Sequence, residues 1–238
     1  MSENRDVLGI RGLEVQCVVG VYPRERDTLQ PLTVDVELVL DTQAAAESGK
    51  LSRSLDYDAV ARQVEAVLVG CRFRLLETAA HALCSLLLAP PAPGERRASA
   101  RSVAIKLQKP EALAGRAVAG LTVQRDASWL AVARASAPFG AVEVLLDTRE
   151  AGVYRLVIDA GRQARLPSLP RGAGAAFSLS DGLSLDSRGF RARSLERLDG
   201  NRPHVVQNTS RGARTLLLVT CQQQRVLEGV QAERRTAG

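Results

Sequence analysis

The sequence predicts an α+β domain followed by an all-β domain, on three observations. Residues 32–40 alternate apolar and polar with a period of two, the pattern of a half-buried antiparallel strand. From Asp56 the apolar period lengthens to that of a helix, and a second helical stretch follows before alternation returns at Ser102. After Arg125 the chain is a series of short strand candidates separated by turn residues at intervals of roughly ten.

Val7–Val21 is β-rich and broken by Gly9, Gly12 and Gly20. Tyr22–Pro31 is polar, holds two prolines and predicts a loop carrying Glu25 and Gln30. In Leu32–Leu40, Val34, Val36, Leu38 and Leu40 share one face, with Thr33, Asp35 and Glu37 on the other. Tyr57, Val60, Ala61, Val64, Val67 and Leu68 then fall on one helical stripe, with Ser54 or Asp56 as candidate caps. A second helix is predicted over Leu75–Leu88, with Leu76, Ala79, Ala80, Leu83 and Leu87 inward, ended by Pro90-Pro91-Ala92-Pro93-Gly94. Ser102–Lys109 turns Val103, Ile105 and Leu107 inward, and Ala117–Arg125 gives a last strand. The order is β-β-α-α-β-β, with two helices on one face of an antiparallel sheet.

In the second half the strand candidates are Trp129–Ala135, Val142–Asp147, Val153–Asp159, Ala175–Leu179, Leu183–Asp186, Phe190–Leu195 and Thr215–Cys221, which suggests a sandwich or barrel. Domains are expected at residues 1–125 and 126–238, with a polar tail, Gln222–Gly238, expected to fray.

Composition narrows the function. The chain is 45% apolar and 24% charged, as globular proteins are. The polar N-terminus predicts no signal peptide, and no apolar run approaches the ~20 residues of a membrane span. The four cysteines have neither ligand nor disulfide spacing, so reduced thiols in the cytoplasm are expected. The net charge of +6 is concentrated in the second half but spread along strands, and aromatics are only 3%. Nucleic-acid binding, which favours a clustered basic stripe with aromatics, is not expected. The only lysines are Lys50, Lys106 and Lys109.

Four short motifs stand at the ends of predicted elements: Gly20-Val-Tyr-Pro-Arg-Glu25-Arg-Asp-Thr-Leu-Gln30, Leu55-Asp-Tyr57, Leu75-Leu-Glu77 and Lys109-Pro-Glu-Ala112. In this order and spacing, over about residues 5–125, they resemble the bacterial dihydroneopterin aldolases, folate-pathway enzymes of the T-fold group. Val18-Val19 ahead of Gly20 departs from the polar residue found in many members but touches no proposed catalytic group, and Thr28-Leu29 before Gln30 lacks the glycine often found there.

The resemblance implies a retro-aldol reaction on a pterin. 7,8-Dihydroneopterin loses glycolaldehyde and leaves 6-hydroxymethyl-7,8-dihydropterin, with the ring's own C=N bond as electron sink. Such a route needs no cofactor, metal or lysine Schiff base, only general acid–base work. A pterin presents an amide N–H beside an exocyclic amine, and one carboxylate can accept from both. Glu77 is the candidate for that anchor, with the Leu76 N–H available to the ring carbonyl. The plainer alternative is a helix-start glutamate favoured by the helix dipole. Lys109, fixed at a strand end before Pro110, is the first candidate for proton transfer, whereas Lys106 fits an ordinary surface lysine. Glu25 could bind the side-chain hydroxyls and couple to Lys109, or be one charge in a solvated loop with Arg24, Arg26 and Asp27. Tyr57 could relay a proton or order a water, or be a half-buried helix-start aromatic. Gln30 fits a brace for the loop. In the family, the counterpart of Tyr57 reaches the pterin of a neighbouring subunit. Sheets there join edge to edge into tetrameric rings, which commonly stack as octamers.

In the second half, Gly152–Gly161, Pro203-His204-Val-Val-Gln-Asn208 and Thr215–Thr220 resemble the cupin jelly-roll pattern. The metal-binding histidine pair expected near Arg165–Arg171 is replaced by Arg-Leu-Pro-Ser-Leu-Pro-Arg. No metal site is therefore expected, and His204 and His81 fit structural roles. Three readings stay open: the aldolase, a dihydroneopterin or dihydroneopterin-triphosphate epimerase using the same cleavage, and a non-catalytic oligomerising scaffold for the β-domain. Lys109-Pro110-x-Ala112 favours the aldolase.

Overall fold

The computed structural model describes residues 5–166, 168–169, 174–198 and 202–221. The chain divides into two compact units: the chain up to Pro91 with Arg96–Ala131, and Ala92–Glu95 with the chain from Val132.

The first unit contains β1 (Asp6–Cys17), α1 (Pro23–Arg26), β2 (Gln30–Leu40), α2 (Gln43–Ser48), α3 (Tyr57–Cys71), α4 (Leu76–Leu88), β3 (Ser102–Lys109) and β4 (Ala119–Asp126). Its sheet runs β1-β2-β3-β4 with every neighbour antiparallel. The main order is the expected β-β-α-α-β-β, and the long helices α3 and α4 cover one face. The alternation of β2 sets that face: Leu32, Val34, Val36, Leu38 and Leu40 are each at most 1% exposed. Val34, Val36 and Leu38 pair with Leu107, Ile105 and Val103 of β3. Of the two candidate caps for α3, Asp56 does the work, accepting from the N–H groups of Asp58 (3.1 Å) and Ala59 (3.3 Å). α4 is buried almost all round from Ala79 to Leu88, broken only at His81, as expected of a helix with few polar positions.

Two expectations are corrected in this unit. Tyr22–Pro31 is not all loop: Pro23, whose fixed φ suits a first helical position, opens the single turn α1, which carries Glu25. Gln30 already belongs to β2, paired with Cys17. α2 is too short to leave a periodic signal in the sequence.

The second unit is all-β, with β5 (Ala133–Ala137), β6 (Gly140–Asp147), β7 (Gly152–Ile158), β8 (Gln163–Leu166), β9 (Gly174–Ser178), β10 (Leu183–Leu185), β11 (Arg188–Phe190), β12 (Leu195–Arg197), β13 (His204–Asn208) and β14 (Arg214–Thr220). They form a six-stranded sheet, β12-β9-β14-β7-β6-β5, and a four-stranded sheet, β11-β10-β13-β8. Tyr154, Leu156, Leu216 and Leu218 from the first sheet and Ala164, Leu166, Leu183 and Val206 from the second share one buried cluster, so the sheets pack face to face. Phe190–Leu195 is not one strand: Arg193 takes a left-handed φ of 61°, and the chain turns between β11 and β12. Trp129 lies in a short 3₁₀ turn rather than a strand. Pro167, Pro170 and Arg171 of the histidine-replacing segment, and the tail Gln222–Gly238, lie outside the described residues.

His204 and Asn208 both have structural partners. His204 Nδ1 lies 2.8 Å from Asp186 Oδ2, and Asp186 also accepts from the Val205 N–H and pairs with Arg202. Asn208 is fully buried; its amide donates to the carbonyls of Ile158 and Gly212, and its oxygen accepts from the N–H and hydroxyl of Ser210. Asn208→Ala is therefore expected to destabilise this unit by about 2–3 kcal/mol, since several buried groups lose their partner at once. Denaturant titration followed by circular dichroism measures the difference.

Candidate active site

Lys109 is the last residue of β3 and lies on the same face as Val103, Ile105 and Leu107, the face the helices cover. Its Nζ donates to Glu25 Oε1 at 2.5 Å, with side chains only 9% and 14% exposed. Two groups far apart in sequence thus meet as a shielded ion pair. The other Glu25 oxygen accepts from the Tyr22 N–H at 2.9 Å, so the carboxylate is held at both ends. Burial alone would raise the Glu25 pKa. The hydrogen bond from Lys109, the Tyr22 amide, the Lys109 charge and the Val21 amide outweigh it and hold the carboxyl below its ordinary value. Cys17, at the end of β1, lies near the pair. Burial pushes its thiol up to about 11 although the Lys109 charge opposes this, so at neutral pH it is an uncharged neighbour.

The carboxylate position is set by Gly20. This glycine has φ +140°, and a Cβ built on it would lie 2.2 Å from Glu25 Oε2. No side chain fits there while Glu25 keeps its place. Around it, Gly20 N–H donates to Phe73 O at 3.0 Å, and Gln30 Nε2 donates to Val19 O at 2.6 Å. Gln30 is thus a brace, as expected. The Gly20–Phe73 bond ties the pair's loop to the α3–α4 junction, from which α4 starts at Leu76.

Leu76 and Glu77 are the first two residues of α4, Leu76 half-buried and Glu77 exposed. The first intrahelical bond of this end is Ala79 N–H to Leu75 O, so the N–H groups of Leu76, Glu77 and Thr78 precede the ladder and point out of the helix end. α4 packs on β3 and β4, so Glu77 and Lys109 are on the same side of the sheet.

Tyr57 stands apart. It is the first residue of α3 and 65% exposed, not half-buried. The length of the helix, about 21 Å, separates it from Cys71, beside the junction that joins the pair's loop. One chain brings Glu25 and Lys109 together next to the start of α4, and holds Tyr57 at the far end of α3. His81 lies 3.2 Å from an Arg125 nitrogen and edge-on to Trp129. Among the described residues, no cluster of three or more His, Cys, Asp or Glu side chains could hold a metal, and no helix is long and apolar enough to cross a membrane.

Two residues escaped the sequence reading. Gly20 was visible as a glycine but not as the floor under a carboxylate. Arg26 looked like one more charge in a polar loop; its Nη1 instead donates to Gly20 O (3.2 Å) and Phe73 O (3.0 Å). Nothing in sequence separates it from Arg24.

Residues 8–125 match the family FolB, dihydroneopterin aldolase. The dihydroneopterin aldolase of Escherichia coli K12 is 35% identical over 120 residues, which are 50% of this chain and 93% of that protein. The chain belongs to the dihydroneopterin aldolase family. A crystal structure of the E. coli dihydroneopterin aldolase in complex with neopterin is similar at 35% identity over 50% of this chain and 98% of that one, with a TM-score of 0.46. The chain from Val132 lies outside the aldolase match. A Cupin_2 domain of an XRE family transcriptional regulator from Enterobacter cloacae is similar at 17% identity, over 35% of this chain and 96% of that one, with a TM-score of 0.30.

Proposed function

We propose that this protein is a cytoplasmic 7,8-dihydroneopterin aldolase of tetrahydrofolate biosynthesis, its reaction run by the first unit. The observation that carries the reading is the shielded Glu25–Lys109 pair beside the start of α4, within a domain that spans nearly the whole length of its aldolase relative.

In this reading the Glu77 carboxylate accepts from the pterin ring N–H and exocyclic amine, and the Leu76 N–H donates to the ring carbonyl. That fixes the bicycle and directs its trihydroxypropyl chain toward Lys109. The hydroxyl on the second side-chain carbon loses its proton, and its oxygen becomes the aldehyde of glycolaldehyde. The bond between the first and second side-chain carbons breaks, and its electrons pass into the ring C=N as the ring nitrogen gains a proton. Protonation of the first carbon and release of the nitrogen proton give the hydroxymethyl product. Lys109 moves protons at the side chain. Glu25 holds Lys109 in place and accepts from substrate hydroxyls. Such positioned proton transfer contributes typically ~10²–10⁴-fold.

The distance of Tyr57 from the pair supports a site shared between subunits. The strands β1 and β4 end the sheet on either side, and edge-to-edge pairing through them would satisfy their open backbone groups. We expect a homo-tetramer or homo-octamer, to be read by light scattering after size exclusion; a monomer at assay concentration would contradict the shared site.

Gly20→Ala is expected to lower kcat/KM by at least ~10²-fold, because the added methyl occupies the carboxylate's place and separates Glu25 from Lys109. Steady-state kinetics with a circular-dichroism control checks it. The function itself is tested by incubating the protein with 7,8-dihydroneopterin and separating the products. Hydroxymethyldihydropterin and glycolaldehyde in equal amounts support the reading. The epimer alone indicates an epimerase, and unchanged substrate a non-catalytic scaffold.

A further inference from the structure

We infer that Arg26 is a positioning residue: by clamping Gly20 to Phe73 it sets the separation between the Glu25–Lys109 pair and the start of α4. Its catalytic consequence rests on the aldolase reading above. One guanidinium nitrogen donates to both carbonyls, at 3.2 Å to Gly20 and 3.0 Å to Phe73, across a gap already bridged by the Gly20 N–H. Arg72 returns the link, its guanidinium donating to the carbonyl of Arg26. Arg72 holds a left-handed φ of 48°, which non-glycine residues seldom adopt, and in that conformation its side chain reaches back to α1.

The two arginines therefore lock the turn bearing Glu25 to the junction that launches Leu76 and Glu77. Arg26 adjoins Glu25 in sequence, so a shift of one moves the other. A substrate held by the α4 end needs the pair at a fixed reach, and a displacement of about 1 Å in such a site can cost ~10²-fold in rate. Glu25 is faced by Lys109 from β3 and, beyond it, by the uncharged Cys17 from β1. Arg24, Arg26 and Asp27 are the charged neighbours along its own turn. Loosening the clamp weakens the hydrogen bond from Lys109, which is among the contacts that hold the Glu25 carboxyl low. Its titration then moves up toward the ordinary carboxylate value.

The test compares wild type with Arg26→Met, which keeps the stem and removes the donors, and with Arg26→Lys, which keeps a cationic donor. Two quantities are read in the full chain: kcat and KM for 7,8-dihydroneopterin, and the titration midpoint of Glu25 by carboxyl NMR, assigned with Glu25→Gln. For Arg26→Met, kcat is expected to fall by about 10- to 10²-fold with KM within roughly threefold, and the Glu25 midpoint to rise. Arg26→Lys is expected to recover most of both. Unchanged kcat and midpoint in folded Arg26→Met would overturn the proposal. If Arg26→Met does not fold, Arg26→Gln, whose shorter side chain does not span to both carbonyls, decides alone: a fall in kcat with a raised Glu25 midpoint supports the clamp, and wild-type values of both overturn it. If wild type lacks aldolase activity, the aldolase reading fails, and the Glu25 midpoint still decides whether Arg26 positions the pair.

Discussion

Lys109→Ala is expected to bind pterin nearly as well as wild type and to lose most turnover. The anchoring contacts assigned to Glu77 and Leu76 lie at the ring, whereas Lys109 is assigned to the side chain where the carbon–carbon bond breaks. Removing it takes away the proton carrier and leaves Glu25, 14% exposed, without its cationic partner. The Glu25 carboxyl should then rise, because burial no longer meets the opposing charge. The loss in kcat is expected at ~10²–10⁴-fold, the range for a positioned general acid–base group, with the Kd for neopterin changed by no more than about threefold. Pterin fluorescence titration gives the Kd and product chromatography gives kcat. An equal loss of both would make Lys109 a binding residue.

Glu77→Gln should show the converse: a large loss of affinity. A carboxylate accepts from both donors of the pterin edge. A carboxamide offers one acceptor and turns an NH₂ group toward a donor. Losing a charge-assisted pair of hydrogen bonds is expected to cost about 3 kcal/mol, on the order of 10²-fold in Kd. If Glu77 is instead an ordinary helix-start acid, the substitution removes only its interaction with the dipole, about 0.3–1 kcal/mol of stability, and leaves pterin affinity unchanged. Titrating the same ligand and measuring thermal stability on one sample separates the two outcomes. Glu77 is exposed, so the substitution disturbs no core packing.

What the sequence revealed depended on whether local chemistry or long-range contact fixed each feature. The alternation of β2 and the carboxylate cap of α3 were legible because one strand face or one turn decides them. α1 and α2 were not, since one or two turns leave no period. β8 and β13 are only four and five residues long, too short for alternation to stand out, and the break at Arg193 comes from a left-handed backbone on a residue that rarely adopts it. Glu25 and Lys109 meet across 84 residues, a contact that no local pattern encodes; only their joint occurrence with Tyr57 and Glu77 marked them. Of the two alternatives for Tyr57, the half-buried helix-start aromatic fails: it is the first residue of α3 and 65% exposed, although it shares a stripe with apolar residues. Arg26 stayed hidden because its partners are backbone carbonyls, which have no signature in sequence.

The most direct test of the shared pocket is a crystal structure of the full chain with neopterin bound. The account requires both Glu77 carboxylate oxygens within hydrogen-bonding reach of the pterin N–H and exocyclic amine, and Lys109 Nζ within such reach of the trihydroxypropyl chain, with Tyr57 supplied by a neighbouring subunit. Neopterin seated away from α4, or with its side chain turned from Lys109, would contradict it.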